Sequence, residues 1–306
     1  MRSQCFALAL TLLTALTGYA AVTVKTYHVA GGEEVTSETW PPQLLQRIRK
    51  TDRKNPTSVN TAVVFTNRRK TIAIKYSGRE TTNKKGEKQW TGQFGWVPPN
   101  ANWYHDGFFR FTLNKSASLH HRFQLVETRS GDTGLARWVA DMPDATATLE
   151  FSLRANDDKL LFHIRFEPKE QKAVSSAVVT LQCYPSDFAV QKPETRSRAA
   201  LTSKRRLTPG PKGGSSRAEV SEEESWALFL DEYYDVAEGR GAGPCAVAWD
   251  VSRCDVTLRC GGYVCYALAG LKSGVTETSF VLWDFSGVTN ADAITVMKAL
   301  EVTPKP

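Results

Sequence analysis

Apolar residues recur at every second position through most of this chain, and a backbone whose side chains alternate so must turn one face to a core and the other to water. Leu149, Phe151 and Leu153 alternate with polar residues, as do Leu160, Phe162, Ile164 and Phe166, and Asn156-Asp157-Asp158-Lys159 supplies a turn between the two runs. Thr61 to Phe65 and Thr71 to Tyr76 flank the polar turn Asn67-Arg68-Arg69-Lys70, a hairpin pattern. Leu119, His121, Phe123 and Leu125 form another alternating series, and Val179, Leu181 and Cys183 a further one. The same grammar resumes over Trp226 to Leu230, Cys245 to Trp249, Cys254 to Cys260, Tyr263 to Leu268 and Phe280 to Phe285.

Alternating strands separated by turns every 8 to 12 residues or so predict antiparallel sheets with one buried face each, arranged as a sandwich or barrel. The fold expected is mainly β, a large antiparallel β-sandwich with one short helix near each end. The N-terminal helix is placed over 41–50, where Leu44, Leu45 and Ile48 follow Pro41 and Pro42. For the C-terminal helix, Asn290 is the expected cap of Ala291 to Leu300, with Ile294, Met297 and Leu300 on one face. An outer-membrane barrel also alternates with period two, but here long charged loops interrupt the apolar faces. In general architecture the chain resembles the large β-sandwiches of carbohydrate-active proteins, including the mutarotase-like group, a likeness that carries no catalytic signature.

Residues 1–20 read as a signal peptide. Arg2 precedes an uncharged apolar run from Phe6 to Leu16, and Gly18-Tyr19-Ala20 places small residues at −3 and −1 of a cleavage point. The run is too short and too interrupted by threonine to anchor a chain in a bilayer, and no later segment spans a membrane as a helix. A secreted or periplasmic location follows.

The domain reading is a β-sandwich over 21–190, a disordered charged linker or insertion over 191–225, and a second part over 226–302 with the C-terminal helix. One domain and two joined sandwiches both fit. The formal charge of +7 falls to +6 once Arg2 is removed. Seven of the 38 remaining basic residues, Arg196, Arg198, Lys204, Arg205, Arg206, Lys212 and Arg217, lie in one acid-free stretch, leaving 31 against 32 acids elsewhere. The basic balance therefore belongs to a segment and not to a folded groove, so no nucleic-acid partner is expected.

Cys5 leaves with the signal, and Cys183, Cys245, Cys254, Cys260 and Cys265 remain, an odd number in an oxidising compartment. Their spacing fits no zinc pattern, and neither metal nor cofactor is expected. Cys254 and Cys260 lie too far apart along one strand to pair. With a two-residue turn at Gly261-Gly262, Cys260 and Cys265 would be diagonal neighbours. Buried apolar thiols and a disulfide among Cys245, Cys260 and Cys265 are both open. His120 and His121, neighbours on a strand, must face opposite ways and cannot share a metal.

The segment from Trp90 to Phe109 carries Trp90, Trp96 and Trp103, punctuated by Gly92, Gly95, Pro98, Pro99 and Gly107. Large flat rings interleaved with amides and a carboxylate are what a sugar site requires, since indole or phenol stacks on pyranose C–H faces while Asn and Asp bond hydroxyls. Trp96, Asn100, Asn102, Trp103 and Tyr104 are the candidate ligand contacts. His105, Asp106 and Arg110 are the candidate catalytic group should the protein be an enzyme. The same rings could instead fold back and seal the end of the sandwich. Asp231, Glu232, Tyr233, Tyr234 and Asp235 form a second acidic and phenolic cluster. The best-marked hydrolase, metalloprotease and nucleotide-binding motifs are absent. The favoured function is glycan recognition in the cell envelope without chemistry; the alternatives are a carbohydrate-active enzyme of lyase, hydrolase or epimerase type and a structural envelope protein.

Overall fold

A computed structural model describes residues 21–30, 36, 40–45, 55–97, 102–186 and 197–302. The proposed signal peptide, and Asn100 among the candidate contacts, lie outside the described residues. The first strands in chain order are β1 (Thr23–Ala30), β2 (Val59–Thr66), β3 (Thr71–Thr82), β4 (Lys88–Val97), β5 (Phe109–Leu113) and β6 (Ser116–Ala117). Next come β7 (Gln124–Arg129), β8 (Thr133–Asp141), β9 (Ala145–Arg154), β10 (Lys159–Pro168), β11 (Ala177–Cys183), β12 (Arg198–Leu201), β13 (Arg206–Leu207) and β14 (Ser216–Glu219). The last are β15 (Trp226–Asp231), β16 (Cys245–Trp249), β17 (Cys254–Cys260), β18 (Cys265–Leu271) and β19 (Glu277–Asp284).

These strands make two antiparallel sheets. One runs β1-β2-β3-β4-β5-β11-β18-β17-β14 with β6 on β5, and the other β13-β12-β15-β16-β19-β10-β9-β8-β7. Residues from before and after the 191–225 segment share both sheets. The sheets meet through rings that the period of two places inward: Phe109 lies 4.7 Å from Phe162, Phe111 5.1 Å from Phe166, and Phe94 6.3 Å from Phe151. Burying each such side chain is worth roughly 1.5–3 kcal/mol before the ordering entropy is counted.

Most predicted strands appear where the alternation puts them. The hairpin at 67–70 closes through Asn67, whose carbonyl-side Oδ1 accepts from the Arg69 and Lys70 amides at 2.8 Å each. One series fails: Ser118–His120 is a 3-10 turn, and the strand begins only at Gln124. His121 instead turns its Nε2 to Ser116 Oγ at 2.7 Å, and burial pushes its pKa below the ordinary value.

Helix α1 is a single turn, Pro42–Leu45, with Leu44 buried beside Trp40, Val29 and Ala62; the rest of the helix expected over 41–50 lies outside the described residues. Helix α2 spans Asn290–Val302. Its cap is Thr289 and not Asn290: Thr289 Oγ1 accepts from the Asp292 amide at 3.1 Å and donates to Asp292 Oδ2 at 2.8 Å. Asn290 is occupied elsewhere, donating Nδ2 to the Asp231 carbonyl at 2.9 Å. Ala293 and Met297 bury against Trp226, Leu230 and Trp283, while Leu300 stays exposed.

The described part of the 191–225 segment differs from the disordered linker expected. It contributes β12, β13 and β14 to sheet edges, and several of its charges are paired. Arg198 is fully buried, with Nε 3.4 Å from Asp231 Oδ2. Asp231 Oδ1 further accepts from Ser197 Oγ at 2.6 Å and from the Tyr233 and Tyr234 amides, so the 231–235 cluster is a structural corner. Buried Glu224 takes Arg205 Nε at 2.8 Å and the Ser221 amide at 2.9 Å, and bonds Thr202 Oγ1. These charge-assisted bonds fix where the segment lies, and composition does not reveal them.

Burial alone would raise the Glu224 pKa, but the bonds from Arg205, Thr202 and Ser221 outweigh it and hold the carboxyl at about 2. A depressed folded-state value means the stabilisation is present above the ordinary value of 4.5 and disappears as pH falls towards about 2. In urea unfolding, Glu224→Gln is expected to lose about 1.5–3 kcal/mol at pH 7 and to show a shallower acid dependence below pH 4.5; a variant as stable as the native chain at pH 7 would refute this role.

Candidate functional site

The site lies on the face of the first sheet that points away from the aromatic core. In β3 and β4, Ile74, Tyr76, Phe94 and Trp96 face inward, so Lys75, Ser77, Arg79, Thr91 and Gln93 face the other way. Ser77 stands directly opposite Asn60 on one side and Gln93 on the other. Farther along, Gln182, Tyr266 and Arg259 form a second cross-strand row, and Arg110 projects from β5 opposite Thr180.

Between these rows runs the 102–108 segment, held as an extra strand-like element. The Trp96 amide donates to the Tyr104 carbonyl at 3.2 Å, the Tyr104 amide to Gln182 O at 3.2 Å, and the Tyr184 amide to Asn102 O at 2.8 Å. The segment crosses β4 at Gly95, where a Cβ would sit 1.8 Å from the His105 carbonyl oxygen. Only glycine permits that approach.

The segment divides the predicted residues in two. Trp96 and Trp103 are 1% exposed and Asn102 is fully buried, so none of the three can form an open platform. Their rings lie 6.3 Å apart inside the core. Trp103 donates Nε1 to the Trp283 carbonyl at 2.9 Å, and Asn102 donates Nδ2 to Pro244 O and Asp284 Oδ1, both at 3.2 Å. They seal the end of the two-sheet core, because indole gains most by desolvation and the facing sheet supplies the acceptor that Trp103 needs.

Tyr104, His105, Asp106 and Arg110 do come together on the outer face. Asp106 bonds Lys75 Nζ at 2.7 Å, a pair 12% and 2% exposed, and its other oxygen lies 4.0 Å from His105 Nε2. Tyr104 packs on His105 at 5.0 Å and on Tyr184 at 4.5 Å, and Tyr184 on Tyr263 at 4.8 Å. Burial and the hydroxyl contacts with Tyr263 and Tyr104 keep the Tyr184 phenol protonated, its pKa well raised. Burial likewise raises Tyr266, against the opposing pull of Arg110 and Arg259.

Two adjoining cavities open here and share Gln93 and Asp106. One, about 60 Å³, is lined by Lys75, Ser77, Arg79 and Thr91. The other, about 160 Å³, has Tyr104, Arg110 and Gln182 at its polar side and reaches down to Tyr76, Phe94 and Phe123. It exists because β4 and β5 pair only at Phe94 and Phe109 and then diverge. The volume suits one ring-sized group, well under the roughly 300 Å³ of pockets that engulf a ligand. Between them the cavities hold a single carboxylate among the described lining residues. Ser77 Oγ and both amide atoms of Asn60 are buried without a hydrogen-bond partner.

Lys75, Ser77, Gln93, Gln182, Tyr184, Tyr263 and Tyr266 escape a search for aromatic loops. A lysine amid the apolar run Thr71-Ile-Ala-Ile-Lys-Tyr76 was the available signal, since a charge there needs a partner. Among the described residues no group of three or more His, Cys, Asp or Glu could hold a metal ion, and no helix is long and apolar enough to cross a membrane.

No family model and no curated protein matches the chain. Among solved structures, the α-N-acetylgalactosaminidase of Bifidobacterium bifidum is similar at 8% identity and a TM-score of 0.45, over 80% of this chain and 38% of that one. A GH36 α-galactosidase of Geobacillus stearothermophilus shares 8% identity at a TM-score of 0.36, over 74% and 41%. A proposed aldose 1-epimerase of Klebsiella pneumoniae shares 7% identity at 0.43, over 91% and 95%. The chain thus spans about two fifths of the two glycosidases, and likenesses this remote assign no activity.

Gly95→Ala is expected to push the 104–106 crossing off β4, costing about 1–3 kcal/mol in urea unfolding and accelerating hydrogen exchange at the Tyr104 amide. Native stability and native exchange in that variant would remove the close approach from the account of the site.

Proposed function

We propose that the protein recognises an acidic saccharide noncovalently on the outer face of the first sheet, that residues 1–20 act as an export signal, and that recognition takes place in the cell envelope. The observation that carries this reading is the buried, unpartnered Oγ of Ser77 on the cavity lined by Lys75, Gln93 and Asp106, with the unpartnered amide of Asn60 directly opposite it on β2. Leaving such atoms unbonded costs about 1–3 kcal/mol each, and sugar hydroxyls, which both donate and accept, would recover it. Lys75, Arg79 and Arg110 outnumber Asp106 around the two cavities, which favours a ligand bearing carboxylate or sulfate. Tyr104 and Tyr263, partly exposed, take the stacking role first expected of Trp96 and Trp103.

The enzymatic alternative has one observation on its side, the approach of His105 to Asp106 within 4.0 Å, which could move a proton. Asp106, however, is already paired with Lys75, and the two-carboxylate arrangement of glycoside hydrolysis is not assembled by the described lining residues. Loss of turnover of an acidic polysaccharide in His105→Ala would reverse this preference.

Titration calorimetry of the full chain against uronate-bearing, sulfated and neutral oligosaccharides tests the proposal. Acidic oligosaccharides should bind, with affinity falling as salt rises, and Arg110→Ala should weaken binding about tenfold, or about 1.4 kcal/mol. No binding by any of the three classes, or equal affinity in Arg110→Ala and Tyr104→Ala, would overturn it.

A further inference from the structure

Four of the described cysteines gather in one part of the core. Cys183, Cys265 and Cys260 stand side by side on β11, β18 and β17, each directly opposite the next, and Cys245 approaches Cys183 from the facing sheet. All are buried and reduced. The loop between β17 and β18 has four residues, not the two expected at Gly261-Gly262, and closes with the Gly261 amide on Val264 O at 3.0 Å. That change of loop length turns Cys260 and Cys265 from diagonal neighbours into a direct cross-strand pair.

We propose that Cys260 and Cys265 are an oxidation site that forms an intrahairpin disulfide and so fixes the loop presenting Tyr263 to the outer face. The sulfurs already lie 3.6 Å apart. Directly opposed antiparallel residues have Cα atoms about 4.5–5.5 Å apart, inside the span of about 4.4–6.8 Å that a disulfide bridges, so side-chain rotation completes the bond without moving either strand. Cys183 is not set up to compete: its thiol points to the Cys265 carbonyl oxygen at 3.6 Å. Contact with the Cys260 thiol pulls the Cys265 pKa down, while the same contact, with burial, pushes that of Cys260 up.

The oxidant is a disulfide of the chemical class of oxidised glutathione. A thiolate of the pair attacks one of its sulfurs and expels a first thiolate; the second cysteine, losing its proton, attacks the mixed disulfide and expels the other. One protein disulfide forms, the external disulfide is reduced to two thiols, and no further electrons are needed. Since burial blocks the folded pair, the exchange takes place while the chain folds. The loop so closed contains Tyr263, which packs on Tyr184 at 4.8 Å, and Gly262, whose amide bonds Gly213 O at 3.3 Å.

The test uses the unmutated full chain, refolded once with a mixture of oxidised and reduced glutathione and once with a strong reductant. Each sample is alkylated under denaturing conditions and digested with trypsin, whose cuts after Arg259 and Lys272 leave both cysteines on the single peptide 260–272. After oxidative folding that peptide is expected to carry no alkyl label and to lack two hydrogens, whereas the reduced sample carries two labels. Two labels after oxidative folding, or Cys260 or Cys265 cross-linked to any other cysteine, would overturn the assignment.

Discussion

Everything in this fold rests on the ring-against-ring contact between the two sheets. Phe151 stacks on Phe162 at 4.7 Å within one sheet, and Phe109 of the other sheet meets Phe162 edge-on at the same separation. Trp138 joins Phe94 and Phe151 at 5.7 and 5.5 Å. Edge-to-face rings gain roughly 0.5–1.5 kcal/mol each beyond their area, and their size sets the sheet separation. Aromatic residues are therefore drawn inward wherever the alternation allows, and chemistry is left to the opposite face. That is why Trp96 and Trp103 are absent from the surface and why the outer face is built from tyrosine, glutamine, arginine and one buried lysine.

Period two made the strands readable, because alternation is a local property that each strand carries on its own. It misled at 118–123, where the residues that look like a strand form a turn filling the gap between β4 and β5. Only the tertiary structure contains that gap. The tryptophans show a different limit. Their clustering was plain, but whether a ring faces out or in depends on acceptors such as the Trp283 carbonyl, 180 residues away in sequence. Of the candidate group, His105, Asp106 and Arg110 converge because one crossing segment and one neighbouring strand carry them. Their partner Lys75 comes from a strand no spacing rule connects to them.

Charge behaved similarly. The segment over 191–225 reads as a disordered charged linker or insertion because its apolar content is low, and its basic stretch from Arg196 to Arg217 holds no acid. Its partners are distant or just downstream: Asp231 for Arg198, Glu224 for Arg205, Glu223 for Lys204 and Glu232 for Arg206. The Arg198–Asp231 pair is buried and Glu224 is buried against Arg205; such pairs are weak sources of net stability but costly to break singly, so they specify one placement of the edge strands, while the other two pairs are exposed. Compositional reasoning counts charges but not which of them meet.

The 102–108 segment joins these themes, since it serves the core and the candidate site at once. Trp103 and Asn102 point down and tie the first sheet to β19 and Pro244; Tyr104, His105 and Asp106 lie on the outer face. With Trp103 held in the core, its neighbour Tyr104 packs against Tyr184 and His105 on the outer face. The Lys75–Asp106 pair then clamps the far end, with the Gly107 amide donating to Phe94 O at 2.6 Å. A loop pinned at both faces keeps few conformations, so its outward side chains are ordered, which would lower the entropy lost in binding the proposed ligand. The tryptophans thus contribute to the outer face as its anchors, and the rigidity they confer is the physical link between the packed interior and the polar surface above it.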